Sequence, residues 1–310
     1  MNIAICLRGI EDIAAQEVNG KKTLPGRVEF SGDVTDFRSV NDVYEVLHSC
    51  TFNELDDIET EAEKLQLHFS GSVKVDCIRE GEHNFNSVDV EKIVSTVLRK
   101  KGFAIDFKKA YNTILVDVLD KHCIFGIPKK RRLQKREYRV KINNQGINAC
   151  LAYAMLKLAG YEDGMSVLDP FCKDGTILIE AGLTAPGTLH GNDANKNNVR
   201  NARLNAAMAK VPITFHTGDA ANLPEMQFDC AASYPPFESK RRTFKTMQRV
   251  YKEFFEYAAA HVKGKIALLS PNKSLLDAAQ DLKLNEEREV WAGKQKFFAF
   301  IFECKKTRTQ

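Results

Sequence analysis

The sequence has no apolar run of the ~18–20 residues that a membrane-spanning helix needs, and its mean hydropathy is −0.33. No basic stretch opens the chain as in a secretory signal peptide, and the first 18 residues carry three acids. None of the eight cysteines has a partner at CxxC spacing, which argues against a zinc ribbon or a thioredoxin-like motif. We therefore expect a cytoplasmic protein that uses neither membrane nor metal and keeps its cysteines reduced in the core.

Basic side chains are scarce in the first 70 residues, which hold 6 of them against 14 acids, whereas the rest of the chain holds 39 against 27. Two basic runs, Pro128–Lys141 and Lys240–Lys252, are each interrupted by aromatic residues. Two solvated surfaces would give the same pattern. Because Lys and Arg gain affinity for polyanions by displacing counterions from phosphates, the density of these runs favours a nucleic-acid partner.

Short apolar patterns divide the first 141 residues into two units. In the first unit, Ile3–Leu7 and Arg27–Phe30 are typical of strands, and Ile13–Val18 and Phe37–Leu47 are typical of helices. The acidic stretch Glu54–Glu63 fits either a linker or the exposed start of a helix. The second unit has strand patterns at 73–78, 113–120 and 122–127 and a helical pattern at 88–101.

Strand and helix patterns alternate from about Asn143 to the end of the chain. Repeated βα units predict a parallel sheet, and two final strands add an antiparallel edge. Ligands of such sheets bind beyond the carboxyl ends of the strands. The predicted helices are Ile147–Leu158, Ile177–Leu183, Asn197–Ala209, Val250–His261 and Lys273–Leu282, and the predicted strands are Val167–Asp169, Gly187–Asp193, Ile213–His216, Phe228–Ser233, Lys265–Ser270, Arg288–Trp291 and Lys296–Cys304.

Four segments follow predicted strands, where a cofactor would bind. The turn Asp169–Thr176 brings backbone N–H groups and a helix N-terminus together. Asp193 ends the next strand and suits a hydrogen bond to ribose hydroxyls. Asp219 follows the third strand, where it can accept from an adenine amine, and Ser233–Phe237 follows the fourth. Each acid alone is more often a turn or helix cap, but the four together favour a nucleotide-like cofactor.

Three stretches of the carboxy-terminal half resemble motifs of the class I S-adenosylmethionine methyltransferases, and more narrowly of RNA guanine-N2 methyltransferases with a Rossmann-fold catalytic domain. They are LDPFCKDGTILIEA, GNDANKNNVRNARLNAAMA and FDCAASYPPF. The middle stretches VKVDCIREGEHNFNSVDVEKIV and FGIPKKRRLQKREYRVK are similar to that group's RNA-binding THUMP domain. RGIEDIAAQEV and GRVEFSGD resemble the ferredoxin-like unit that precedes THUMP. The closest type is the archaeal THUMP methyltransferase that modifies guanine in or near the tRNA acceptor stem.

The resemblance implies an α/β protein of three parts: a ferredoxin-like unit at 1–65, a THUMP unit at 66–141 and a methyltransferase domain at 142–310. The last part would contain a mostly parallel seven-stranded sheet that ends in an antiparallel hairpin. The implied activity is direct in-line transfer of a methyl group from S-adenosylmethionine to guanine N2 of tRNA. We expect a monomer, and the need for a small activating subunit stays open.

The resemblance also implies roles for individual residues of this chain. Asp169 and the turn to Gly175 would face the methionine part of the cofactor, Asp193 the ribose and Asp219 the adenine amine. The full implied cofactor set is Asp169, Phe171, Lys173, Gly175, Thr176, Asp193, Asp219 and Ala220. The target base would enter a pocket formed by Tyr234, Pro235, Pro236 and Phe237, with Phe237 stacked on it. The implied tRNA contacts are Lys129, Lys130, Arg131, Arg132, Lys135, Arg136 and Arg139.

Two positions depart from the family motifs. Lys173 replaces a glycine that lets the backbone approach the cofactor, and its ammonium could instead pair with the cofactor carboxylate. Tyr234 stands where Asp or Asn normally accepts from the exocyclic amine; backbone carbonyls of Tyr234 and Pro235 could take over that contact. Two alternatives therefore stay open: a catalytically silent RNA-binding or assembly protein, and an amino-methyltransferase that acts on DNA or protein.

Overall fold

The computed structural model describes residues 1–219, 223–238, 243–280 and 282–304. The chain forms two seven-stranded sheets with helices packed against them. Within the described ranges, no helix is both long and apolar enough to cross a membrane. The seven cysteine side chains that the structure describes are free thiols, and five of them are buried. Cys50 and Cys77 are only partly buried.

The amino-terminal sheet has the strand order β2-β3-β1-β4-β7-β6-β5. Its strand pairs are antiparallel except β5 and β6, which run parallel. The strands are β1 (Asn2–Cys6), β2 (Lys21–Leu24), β3 (Arg27–Phe30), β4 (Val40–Thr51), β5 (Val73–Glu80), β6 (Asn112–Leu119) and β7 (His122–Lys130). The helices are α1 (Glu11–Val18), α2 (Leu55–Glu63) and α3 (Ser87–Lys100).

The long strand β4 connects the two predicted amino-terminal units. It pairs with β1 on one side and with β7 on the other, so both units contribute to one continuous sheet. A buried ion pair spans this junction: the guanidinium of Arg27 in β3 donates to Asp117 in β6 at 2.6 Å from both Nε and Nη2. Tyr44 in β4 donates its hydroxyl to the same carboxylate at 2.8 Å.

The prediction of a helix at Phe37–Leu47 is wrong, because these residues enter β4 at Val40. Its apolar residues mimic helical spacing, yet a strand with neighbours on both sides buries residues without strict alternation. The edge strand β2 was missed because three of its four residues are exposed and polar, as sheet edges often are. The acidic stretch proves to be helix α2, whose Glu54 and Asp57 form a capping box.

The carboxy-terminal sheet has the order β10-β9-β8-β11-β12-β14-β13. The first five strands in this order are parallel, and the terminal hairpin places the antiparallel β14 between β12 and β13. The strands are β8 (Ser166–Asp169), β9 (Thr188–Asp193), β10 (Thr214–Thr217), β11 (Cys230–Ser233), β12 (Lys265–Ser270), β13 (Leu282–Ala292) and β14 (Gln295–Cys304). The helices are α4 (Ala149–Leu158), α5 (Thr176–Thr184), α6 (Lys196–Ala209) and α7 (Phe244–His261).

The predicted helix Lys273–Leu282 is also wrong. Only a single 3₁₀ turn, Leu276–Ala278, forms there, and β13 begins at Leu282. Leu275, Ala279 and Leu282 are buried in one cluster, so their helix-like spacing reflects packing of an irregular turn.

A buried carboxylate joins the two halves of the molecule. Glu180 in α5 is fully buried and accepts from Arg38 at 2.9 Å, from Arg136 at 2.9 Å and from the Tyr138 hydroxyl at 2.7 Å. Arg136 also donates to the backbone oxygen of Arg38. The basic segment that follows β7 is thereby tied both to the amino-terminal unit and to the second sheet.

Candidate active site

A cavity of about 320 Å³ opens at the carboxyl edge of the parallel strands. That is the edge where doubly wound sheets bind their ligands. Its volume falls at the lower end of the ~300–1,000 Å³ common for small-molecule sites. The predicted residues that border it are Phe171, Lys173, Asp193, Asp219 and Pro236.

The turn between β8 and α5 shapes one side of this cavity. Gly175 has φ +80°, and a Cβ there would lie 3.1 Å from the Cβ of Ala202 in α6. Glycine therefore meets both the backbone and the packing requirement at the start of α5. The backbone N–H of Lys173 donates to Asp193 Oδ2 at 3.0 Å, which joins the turn to the end of β9. Thr176 is buried and donates its hydroxyl to Asp174 at 2.9 Å.

Asp169 lies beneath the turn and is 1% exposed. Burial raises the pKa of its carboxyl to about 7, although hydrogen bonds from Ser233 and Phe171 act in the opposite direction. The Ser233 hydroxyl donates to Asp169 Oδ1 at 2.6 Å, which joins the ends of β8 and β11. A cationic group bound beside Asp169 would favour its ionised form.

Asp193 is held in a fixed orientation at the end of β9. Its Oδ1 accepts from the backbone N–H of Asn195 at 2.8 Å and from Asn198 at 3.0 Å. A carboxylate offers about four lone-pair sites. Because Oδ2 also accepts from Lys173, one site on Oδ2 is left for a ligand hydroxyl. Asp219 borders the same cavity beyond β10. Ala220, the last of the predicted cofactor residues, lies outside the described residues.

Asn192 borders the cavity and was not predicted from the sequence. It is 1% exposed, and its amide donates to Gly218 O at 2.9 Å. Its Oδ1 is buried and has no hydrogen-bond partner among the residues that the structure describes. A buried acceptor without a partner costs free energy, so it fits a ligand that brings an N–H or O–H donor. The sequence signal that could have identified Asn192 is its position next to Asp193 in the GND motif.

The two departures from the family motifs meet in the structure. Lys173 Nζ lies 3.5 Å from the centroid of the Tyr234 ring and donates to Gln145 O at 3.0 Å. Lys173 has φ +48°, a region that favours glycine. Burial raises the pKa of the Tyr234 phenol to about 12, so the phenol stays neutral at ordinary pH.

The aromatic residues after β11 form one cluster. The ring of Tyr234 stacks against Phe237 with 5.9 Å between centroids, and it contacts Phe297 of β14 edge-on at 5.9 Å. Pro235 is buried and Pro236 borders the cavity. The structure therefore brings the predicted target-base residues to the edge of the sheet where the cavity opens, and it adds Phe297, which no motif indicated.

Most of the basic side chains predicted to contact RNA form ion pairs within the molecule. Arg131 donates to Asp42 at 2.6 Å, and Arg139 to Asp174 at 3.3 Å. Arg136 binds Glu180, as described above. Lys129 and Lys130 pair with Glu45 and Asp36 at 2.6 and 2.8 Å, whereas Arg132 and Lys135 are exposed.

Comparison with known proteins decides the family. The model of the UPF0020 family, described as an RMKL-like methyltransferase domain, matches residues 136–297. The chain belongs to this family. The matched range contains the cavity, the turn after β8 and the aromatic cluster after β11, so the candidate site lies in the methyltransferase domain.

Relatives with assigned activities extend the match over more of the chain. The tRNA (guanine(6)-N2)-methyltransferase of Thermus thermophilus is 31% identical over 222 residues, which cover 69% of this chain and 66% of that protein. The enzyme of the same name from Archaeoglobus fulgidus is 24% identical, with 92% and 87% covered. The crystal structure of TrmN from Thermus thermophilus superposes with a TM-score of 0.81 at 27% identity, covering 98% of this chain and 99% of that one.

Proposed function

We propose that this protein transfers a methyl group from S-adenosylmethionine to the N2 amine of a guanine in tRNA. The observation that carries the proposal is the cavity bordered by Phe171, Asp193 and Asp219 in a chain of the methyltransferase family. The aromatic cluster after β11 lies at the same edge of the sheet. The similarity to the tRNA (guanine(6)-N2)-methyltransferase of Archaeoglobus fulgidus, which covers 92% of this chain, supports the choice of substrate.

S-adenosylmethionine supplies an electrophilic methyl group on a sulfonium. Asp193 accepts from a ribose hydroxyl through Oδ2, since its Oδ1 is already held by Asn195 and Asn198. Asp219 accepts a hydrogen bond from the adenine amine. Asn192 offers its unpartnered Oδ1 to a cofactor donor, and Asp169, with its pKa of about 7, lies nearest to the methionine end.

The target amine is held by backbone rather than by a carboxylate. The Tyr234 phenol is neutral and the Lys173 ammonium lies over its ring, so the carbonyl oxygens of Tyr234 and Pro235 take the amine hydrogens. Phe237 stacks on the extruded base. Methyl transfer to an amine needs mainly alignment of donor and acceptor. The thiol pKa of Cys172 is raised well above its usual value and that of Cys230 to about 12, so neither thiol is poised as a covalent nucleophile.

The amino-terminal sheet provides the RNA-binding surface in this proposal, as a ferredoxin-like unit at 1–65 followed by a THUMP unit at 66–141. Exposed Arg132 and Lys135 contact phosphates, together with Lys129 and Lys130, whose surface ion pairs are weak enough to exchange for RNA. Arg131, Arg136 and Arg139 position the segment through buried or half-buried carboxylates. The protein acts as a cytoplasmic monomer.

One observation favours a second candidate, a catalytically silent RNA-binding protein. The Lys173 ammonium lies on the Tyr234 ring, whereas the family motif has a glycine, with no side chain, at the position of Lys173. The ammonium also adds positive charge beside the sulfonium of the cofactor. Incubation of the protein with S-adenosylmethionine labelled in its methyl group and unmodified tRNA separates the two. Label in tRNA that disappears in Asp193→Ala supports the enzyme. Bound tRNA without label, in a protein that also fails to bind the cofactor, supports the silent protein.

A further inference from the structure

A second and larger cavity, of about 590 Å³, lies between the two sheets. Arg8, Asn41 and Arg79 border it from the amino-terminal half, and Trp291 and Lys294 border it from the terminal hairpin β13–β14. None of these residues has a part in the methyl transfer described above. The cavity is of the size that encloses a nucleotide-sized ligand.

Hydrogen bonds connect the two sides of this cleft. The backbone N–H of Trp291 donates to Arg8 O at 2.9 Å, and Arg288 donates to Gly9 O at 3.2 Å and to Asp12 at 2.6 Å. A Cβ on Gly9 would lie 2.0 Å from Glu289 O, so the loop after β1 approaches the hairpin as closely as backbone allows. The cleft is therefore a preformed feature of the fold.

The groups that border the cleft match a nucleobase and its phosphate. Trp291 is 38% exposed, which leaves part of its indole ring open to a stacking partner. The Asn41 side-chain oxygen is buried and has no hydrogen-bond partner in the part of the chain that the structure describes. Arg79 and the exposed Lys294 add positive charge.

The acids of the cleft are neutralised within the protein. Asp42 accepts from Arg131 Nε at 2.6 Å. Glu80 pairs with Arg8 and with the buried Arg27, both at 3.1 Å. These ion pairs reduce the repulsion that the two carboxylates would exert on a phosphate.

The cleft opens at the same edge of the second sheet as the candidate active site. Strand β13 is antiparallel to β14, which is antiparallel to β12, so the carboxyl end of β13 lies with those of the parallel strands. Three strand spacings separate β13 from β11, which corresponds to about 14 Å. One RNA strand of a few nucleotides can span that distance.

We propose that this cleft binds an unpaired nucleotide of the RNA substrate, with its base stacked on Trp291 and its exocyclic amine donating to Asn41. The inference rests on the proposed function, since it assumes an RNA substrate. It adds a contact outside both the cofactor cavity and the basic segment.

Trp291 is the only tryptophan of the chain, so intrinsic fluorescence reports on this cleft directly. The full-length protein is titrated with a single-stranded RNA hexanucleotide and with a blunt RNA duplex of the same sequence. We expect saturable quenching by the single strand and little by the duplex. Affinity for the hexanucleotide, measured by anisotropy of a labelled strand, falls about tenfold or more in Trp291→Ala and is largely retained in Trp291→Phe.

Met208→Ala is the matched control, because Met208 is 59% exposed on α6, next to the opposite edge of the sheet. The proposal is overturned if Trp291→Ala binds the hexanucleotide as tightly as the wild type does. It is also overturned if the duplex and the single strand quench the fluorescence equally. A methylation assay separates this failure from failure of the proposed function. Methylated tRNA with no fluorescence response refutes the cleft alone, whereas single-strand quenching without methyl transfer refutes the enzyme alone.

Discussion

The Nζ atom of Lys173 lies 3.5 Å from the centroid of the Tyr234 ring, so the two positions that depart from the family motifs are direct neighbours. A lysine in the turn provides the cation, and a tyrosine after β11 provides the aromatic face. A desolvated cation–π contact contributes up to about 2 kcal/mol. The two replacements therefore form one interacting pair.

A double-mutant cycle tests this pair. Lys173→Gly removes the cation and relieves the positive φ, Tyr234→Asn removes the ring, and the double variant carries both changes. We expect a coupling free energy of about 0.5–2 kcal/mol in urea unfolding. Tyr234→Phe keeps the ring and should keep the coupling. Strictly additive effects would contradict a direct interaction.

Asp193→Ala should weaken S-adenosylmethionine binding strongly. The change removes a charged acceptor for the ribose, and hydrogen bonds to charged groups contribute about 1.5–3 kcal/mol, so we expect a ~10- to 100-fold higher Kd by calorimetry. Glu162→Ala, an exposed acid outside the cavity, serves as the control. Circular dichroism checks that the variant is folded. An unchanged Kd would rule out Asp193 as the ribose ligand.

Asp169 should make the protein less stable as the pH rises. Its folded pKa is about 7 and its ordinary value is 3.8, so the folded protein keeps a proton that the unfolded chain releases between these values. The resulting stabilisation is complete below pH ~4 and is lost as the pH rises through 7, at up to about 1.4 kcal/mol per pH unit.

Asp169→Asn imitates the protonated carboxyl and can still accept from Ser233. We expect its unfolding free energy, measured in urea from pH 5 to pH 8 without cofactor, to fall less steeply than that of the wild type. Asp163→Asn, at an exposed position, should follow the wild type. Parallel curves for Asp169→Asn and the wild type would show that Asp169 is ionised throughout.

Charge reversal at Arg132 and Lys135, whose side chains are exposed, should affect RNA binding directly. Arg132→Glu with Lys135→Glu is expected to weaken tRNA binding and to lower the salt slope by up to about 2. Lys157→Glu with Lys210→Glu, which makes the same charge change at exposed lysines elsewhere, is the control. Filter binding at several salt concentrations compares the two. Equal slopes would count against this surface.

Arg136 is unsuitable for such a test. Its guanidinium is bonded to the buried Glu180, and reversal of its charge would place two carboxylates together inside the protein. Breaking a buried pair costs about 3–5 kcal/mol. The structure thereby separates Arg131, Arg136 and Arg139, which hold the segment in place, from Arg132 and Lys135, whose side chains are exposed.

The elements around the candidate active site were predictable from the sequence, because parallel strands place the residues after them on one edge. Asp193 and the turn at Gly175 follow from that rule alone. Glu180 was not predictable: its partners Arg38 and Arg136 lie 142 and 44 residues away, and no local pattern links them. Lys173 and Tyr234 could be flagged as departures, but their contact depends on side-chain directions that only the fold determines.

The most direct test of the central claim is methyl transfer to unmodified tRNA, followed by digestion and mass spectrometry of the nucleosides. The account predicts N2-methylated guanosine as the product, formed by the wild type and lost in Asp193→Ala. Label in a different nucleoside would contradict the choice of base. Intact tRNA binding with no methyl group transferred would contradict the enzyme itself.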